Sequence, residues 1–171
     1  FEFPKNQNRD FRNQSVSGVM TLDDFTLSAW LMGTINDAQD WHDYYGLDTT
    51  NGGQLRFEAN GNNPPRIHIP GSVITHPNFY SSNGADGKMT RDVWHHLVFT
   101  GSGGKLTGYI DGELDAQVDF LEGAQVSGIY IGMANNNSAG AYHDEVGFHK
   151  VARHQRWIKA TYDNQLTGSS Y

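Results

Sequence analysis

The chain is 171 residues long, with 20 glycines, no cysteine and a formal charge of -7. That length suits one domain with a single apolar core, and residues 1–171 are expected to form it. The missing cysteine excludes disulfides, thiolate zinc sites and thiol catalysis. An acidic balance without clustered Lys and Arg speaks against a nucleic-acid partner. No apolar run approaches the roughly 18 residues that a membrane-spanning helix needs, so membrane insertion is not expected. The opening FEFPKNQNRD has no apolar signal region and reads as the start of a mature or excised segment.

Along the chain, Phe25, Leu27, Ala29 and Leu31 alternate with Thr26, Ser28, Trp30 and Met32. A period of two predicts a strand with Phe25 toward a core and Trp30 on the opposite face. Gln54 to Glu58 and Arg66 to Ile69 are further strands, separated by the turn-rich NGNNPP, whose prolines put it near a sheet edge. Residues 81–91 are polar and read as a surface loop. Strands follow at Trp94 to Thr100 and Leu106 to Ile110, with Gly101 to Lys105 as the hairpin connection and Asp111-Gly112 as the next turn. On the first of these strands Trp94 and His96 share one face and His95, Leu97 and Phe99 the other, a pattern that burial alone explains. Ile129, Ile131 and Met133 alternate again, a loop runs from Ala134 to Ala141, and a last strand carries Val146 and Phe148. After Arg153 the period changes: Trp157, Ile158, Thr161 and Tyr162 fall at helical spacing, which predicts one short amphipathic helix laid on the strands. No internal repeat is visible. The class is all-β: a two-sheet antiparallel sandwich with one short C-terminal helix.

Five strings, in this order and spacing, carry a family resemblance: FTLSAWL at 25–31, WHHLVFT at 94–100, KLTGYIDGEL at 105–114, DEVGFHKVAR at 144–153 and WIKATYDNQ at 157–165. They resemble the laminin-G-like jellyroll, a concanavalin A-like β-sandwich, over nearly the whole chain. The tail is similar to that of bacterial laminin-G-like domains of large exported proteins. The resemblance implies a binding module of a secreted or cell-surface bacterial protein. It also implies a structural calcium held by Asp144, at the start of DEVGFHKVAR, with carbonyls and Glu2 from the opening strand. The residue-level alternative is that Asp144 bonds its own turn. A second cation position, at Asp48 with Asn135 or Asn136, follows only loosely from metal binding between the loops of some laminin-G domains.

Sugar recognition asks for exposed aromatic faces to stack on pyranose CH groups, with amides and carboxylates to bond hydroxyls. Both occur together in Asp40, Trp41, His42, Asp43, Tyr44 and Tyr45. A second such segment is His76 to Tyr80, and Asn135 to Asn137 add amides. The candidate ligand residues are therefore Trp41, Asp43, Tyr44, Tyr45, Asn78, Tyr80, Asn135 and Asn136, although alternate residues of 40–45 could instead point into a core. The eight histidines show no metal-ligand spacing. For hydrolysis by paired carboxylates, Asp111 and Glu113 come closest, and they flank a turn. RFE at 56–58, RIH at 66–68 and IKATYDNQ at 158–165 distantly echo a jellyroll lyase family, with Arg56, His68 and Tyr162 as the reacting set. The reading preferred is a non-catalytic module that binds an extracellular glycan or polysaccharide beside other domains of the same polypeptide. The alternative is a structural or protein-binding module of an adhesin.

Overall fold

The computed structural model describes residues 2–3, 11–13, 21–33, 42–50, 54–59, 66–69, 72–73, 92–119, 123, 125–131 and 141–168, with the backbone alone for parts of these strands. The strands are β1 (Glu2–Phe3), β2 (Phe11–Asn13), β3 (Phe25–Gly33), β4 (His42–Thr49), β5 (Gln54–Ala59), β6 (Arg66–Ile69), β7 (Ser72–Val73), β8 (His95–Ser102), β9 (Lys105–Ile110), β10 (Glu113–Asp119), β11 (Val126–Ile131) and β12 (Ala141–His149). A single helix among the described residues, α1 (Gln155–Gly168), follows them.

The strands form two antiparallel sheets. Sheet A runs β1-β12-β3-β8-β9-β10 and sheet B runs β2-β11-β4-β5-β6-β7. The chain thus leaves sheet A after β3, builds most of sheet B, and returns twice. The late strands β11 and β12 close beside the early strands β4 and β3, as in a jellyroll.

The expected alternation is obeyed. Phe25, Leu27, Ala29 and Leu31 of β3, with Leu97 and Phe99 of β8, turn inward onto Tyr45, Leu47, Leu55 and Phe57 of sheet B, all nearly or fully buried. Phe99 reaches across the sandwich, its ring centroid 6.4 Å from Tyr45 and 5.7 Å from Phe57. Phe25 stacks on Phe148 at 6.1 Å. Gly101, the register partner of Phe25, gives that ring its room: a Cβ there would sit 2.2 Å from Phe25 Cε1.

The connection between β8 and β9 is tighter than expected. The ladder continues through Gly101↔Leu106 and Ser102↔Lys105, leaving Gly103 and Gly104 as a two-residue turn, at φ 57 and 72. Two successive positive φ values match the right-handed twist of the paired strands, so the ladder extends to the tip.

The helix lies on the outer face of sheet A. Ile158, fully buried, packs with Val98 and Tyr109. The segment ahead of it is anchored through Thr26, whose hydroxyl donates to the Val151 carbonyl at 2.7 Å and accepts the Arg153 N–H at 2.8 Å. His154 caps the first turn, its Nδ1 accepting the Arg156 N–H at 3.1 Å.

Candidate functional site

The motif strings meet on sheet A. Asp111, in the turn after β9 at φ 53, accepts the His96 backbone N–H through Oδ1 at 2.9 Å. Its Oδ2 lies 2.8 Å from His95 Nδ1, and its own N–H donates to the His96 carbonyl at 2.9 Å. The WHH string and the YIDG turn are thus two halves of one clamp. Asp111 is engaged on both oxygens, and its neighbour Glu113 is exposed on β10.

On the outer face, Trp30 is the register partner of His96 and stacks on it at 5.1 Å. Tyr162 of α1 covers both rings, at 5.7 Å from Trp30 and 6.3 Å from His96. Trp30 Nε1 donates to the Gln165 side-chain oxygen, and the Gln165 amide donates to Glu145. His96 is 3% exposed, its Nδ1 has no hydrogen-bond partner among the described residues, and burial lowers its pKa to about 4 against a raising influence of Asp111. His143, fully buried opposite Leu31, is lowered to about 3 by its burial.

The sequence-based ligand candidates divide in three. Tyr45 is a correction: its ring is fully buried between Phe57 and Phe99, and its hydroxyl, pushed upward in pKa by burial, finds no partner among the described residues. Such a ring is closed to a sugar. Asp43 and Tyr44 lie on β4, where the register passes from Asp43↔Glu58 to Tyr45↔Phe57 and leaves Tyr44 as the extra residue of a bulge. Trp41, Asn78, Tyr80, Asn135 and Asn136 lie outside the described residues.

The expected calcium ligands Asp144 and Glu2 share one corner of sheet A, since Glu2 pairs with Tyr142, two residues before Asp144. Asp144 is exposed, and its Oδ1 accepts the Glu145 N–H at 2.9 Å, the local turn bond named above as its alternative role. No group of three or more His, Asp or Glu side chains converges among the described residues. Calcium takes six to eight oxygens, and the side chain of Glu2, named with Asp144 as a ligand, lies outside the described residues.

The lyase echo does not assemble. Arg56 and His68 are register partners in sheet B, whereas Tyr162 lies on α1 against the outer face of sheet A. Sheet A and the gap of about 10 Å between the sheets separate that strand pair from the helix.

Alternation missed one group. Continuing the β3–β8 register by one residue brings Trp94 opposite Met32, which is paired with Tyr142. Trp94 is 40% exposed, and Met32 and Tyr142 are partly exposed. Burial therefore does not account for Trp94, although its strand-mate His96 lies beneath the helix. No signal in the sequence separates Trp94 from His96, because the helix that covers His96 reaches it only in the folded chain.

Comparison with solved structures returns the same sandwich at low identity. The binding domain of botulinum neurotoxin serotype G superposes with a TM-score of 0.69 at 12% identity, over 93% of this chain and 41% of that one. The SAP-like pentraxin of Limulus polyphemus gives 0.66 at 14%, over 94% and 80%. Trypanosoma rangeli sialidase gives 0.64 at 16%, over 87% of this chain and only 24% of the sialidase. These likenesses concern the fold. No curated protein matches the chain. The laminin G profile described as the concanavalin A-like lectin/glucanases superfamily matches residues 8–159, and with the two antiparallel sheets in agreement, the chain belongs to that superfamily.

Proposed function

We propose that the domain is a non-catalytic carbohydrate-binding module of a larger secreted or cell-surface bacterial protein. Its work is to hold companion domains of the same polypeptide against an extracellular glycan, raising their local concentration there. The observation that carries this reading is how the fold engages its polar motif groups. Asp111 is bonded to His95 and His96, and Gln165 joins Trp30 to Glu145, so these groups support the sandwich. Recognition then falls to exposed loops and strand ends, the usual place for binding residues on a rigid scaffold. Membership of a lectin/glucanase superfamily supports a sugar as the ligand, with catalysis the function from which a binding assay must separate it.

The test is a glycan array with polysaccharide pull-down, run with calcium and with chelator, alongside a search for released sugar. Saturable binding without product is the expected result. Chelator-sensitive binding would return calcium to the site, release of reducing or unsaturated ends would replace the module with an enzyme, and absence of binding to any glycan would favour the adhesin reading.

A further inference from the structure

We propose that Trp94, Met32 and Tyr142 form a stacking site for an uncharged saccharide at the end of sheet A's outer face. This rests on the carbohydrate-binding reading and names both a place and a sugar class for it.

Tyr142 on β12 and Met32 on β3 are register partners, and Trp94, one residue before β8, falls opposite Met32 when the β3–β8 register is continued by one residue. With strands spaced about 4.8 Å apart, the outer two stand about 10 Å apart, a span that two linked pyranose rings cover. In the adjacent row the equivalent residues are Asp144, Trp30 and His96, and there Tyr162 of α1 already stacks on the rings. The outer row thus repeats, in exposed form, the aromatic surface that the protein itself covers one row inward. Trp94 has no ring or hydrogen-bond partner among the described residues and exposes more of its surface than Trp30, 40% against 9%. Its π face attracts polarised CH groups, which a pyranose presents in a flat array.

The polar groups nearby select the sugar. Asp144 lies in the adjacent row with Oδ1 engaged at the Glu145 N–H, and its second oxygen can accept from a hydroxyl. Asp92, exposed at φ 57 two residues before Trp94, and the exposed Glu145 are also acidic. In a chain of net charge -7, this corner repels uronates, sialates and sulfated glycans and accepts hydroxyl donors.

The experiment is affinity electrophoresis through neutral polysaccharides (β-glucan, xylan, galactomannan) and anionic ones (alginate, pectate, heparin), with calorimetry on oligosaccharides of any that retard the protein. Trp94→Ala and Tyr142→Ala are each expected to weaken neutral-sugar binding about tenfold, while Trp94→Phe, which keeps a stacking face, stays within about threefold. Unchanged urea midpoints would show that the variants fold. Should Trp94→Ala misfold, the Phe variant and Tyr142→Ala carry the test. Wild-type affinity in Trp94→Ala, with binding lost in Trp41→Ala, Tyr44→Ala or Tyr80→Ala, would overturn this site and leave the glycan-binding reading standing. Tighter binding of an anionic polymer would overturn the sugar class, and no retardation by any polymer would overturn both proposals.

Discussion

Replacing Asp111 with Gly tests whether the clamp between the WHH string and the YIDG turn holds the two strand ends together. Asp111 sits at φ 53, where Gly is at ease, so Asp111→Gly removes the carboxylate without adding backbone strain. Two bonds are lost, to the His96 N–H at 2.9 Å and to His95 Nδ1 at 2.8 Å, and His95 is only 6% exposed. Hydrogen bonds to a charged partner are worth about 1.5–3 kcal/mol each, giving a loss of about 3–6 kcal/mol. Relief of the positive φ, about 1 kcal/mol, is nearly offset by the greater entropy of Gly in the unfolded chain. A net loss of about 3–5 kcal/mol corresponds to a fall of about 10 °C in Tm for a domain of this size. Asp111→Asn keeps an acceptor for the His96 N–H and tolerates the backbone, so it should cost about half as much. Urea unfolding followed by circular dichroism measures both. If Asp111→Gly lies within about 0.5 kcal/mol of wild type, or Asn is as damaging as Gly, the clamp does not stabilise the fold as argued.

Three further outcomes are expected. The pKa values of His96 and His143 are lowered to about 4 and 3, so the unfolded chain takes up their protons near pH 6.5 before the folded one can. The stability they confer is complete above about pH 6.5 and is lost as pH falls toward 4, on the order of 2–3 kcal/mol per histidine. His96→Phe, which preserves stacking but cannot titrate, should flatten the pH dependence of the urea midpoint, and an unchanged slope would refute that origin. Gly101→Ala drives a Cβ to 2.2 Å from the fully buried Phe25 ring and should cost about 2–3 kcal/mol by chemical denaturation, whereas a neutral result would mean that the ring is free to move. Ile158→Ala, at the buried contact of α1 with Val98 and Tyr109, should cost about 2–4 kcal/mol and shift tryptophan emission to the red as Trp30 is uncovered. Emission that stays put would show the helix docked without that side chain.

The fold was legible because its signals are local. Alternation along 25–32 gave β3 and its inward face, and Trp157, Ile158 and Tyr162 at helical spacing gave α1. The strings WHH, YIDG and DEVG could be matched as motifs without knowing why they travel together. The Asp111 clamp supplies the reason for the first two, and a bulge after Asp144, with Glu145 at φ 48, gives DEVG its local form. The candidate site was far less legible. Period two says that Tyr44 and Tyr45 point apart, but which of them enters the core depends on the pairing of β4 with β5 and on its bulge, and Tyr45 goes inside. Trp94 and His96 share a face in every sequence-based reading, yet one is 40% exposed and the other 3%. The difference comes from a helix more than fifty residues further along, which covers Trp30 and His96 with Tyr162. Class, strand faces, the absence of thiol chemistry and the acidic charge are properties of neighbouring residues and composition, and the chain carries them before it folds. Exposure is a property of what packs on a residue from elsewhere in the chain, and only the assembled sandwich, with α1 in place, decided which aromatics are left facing solvent.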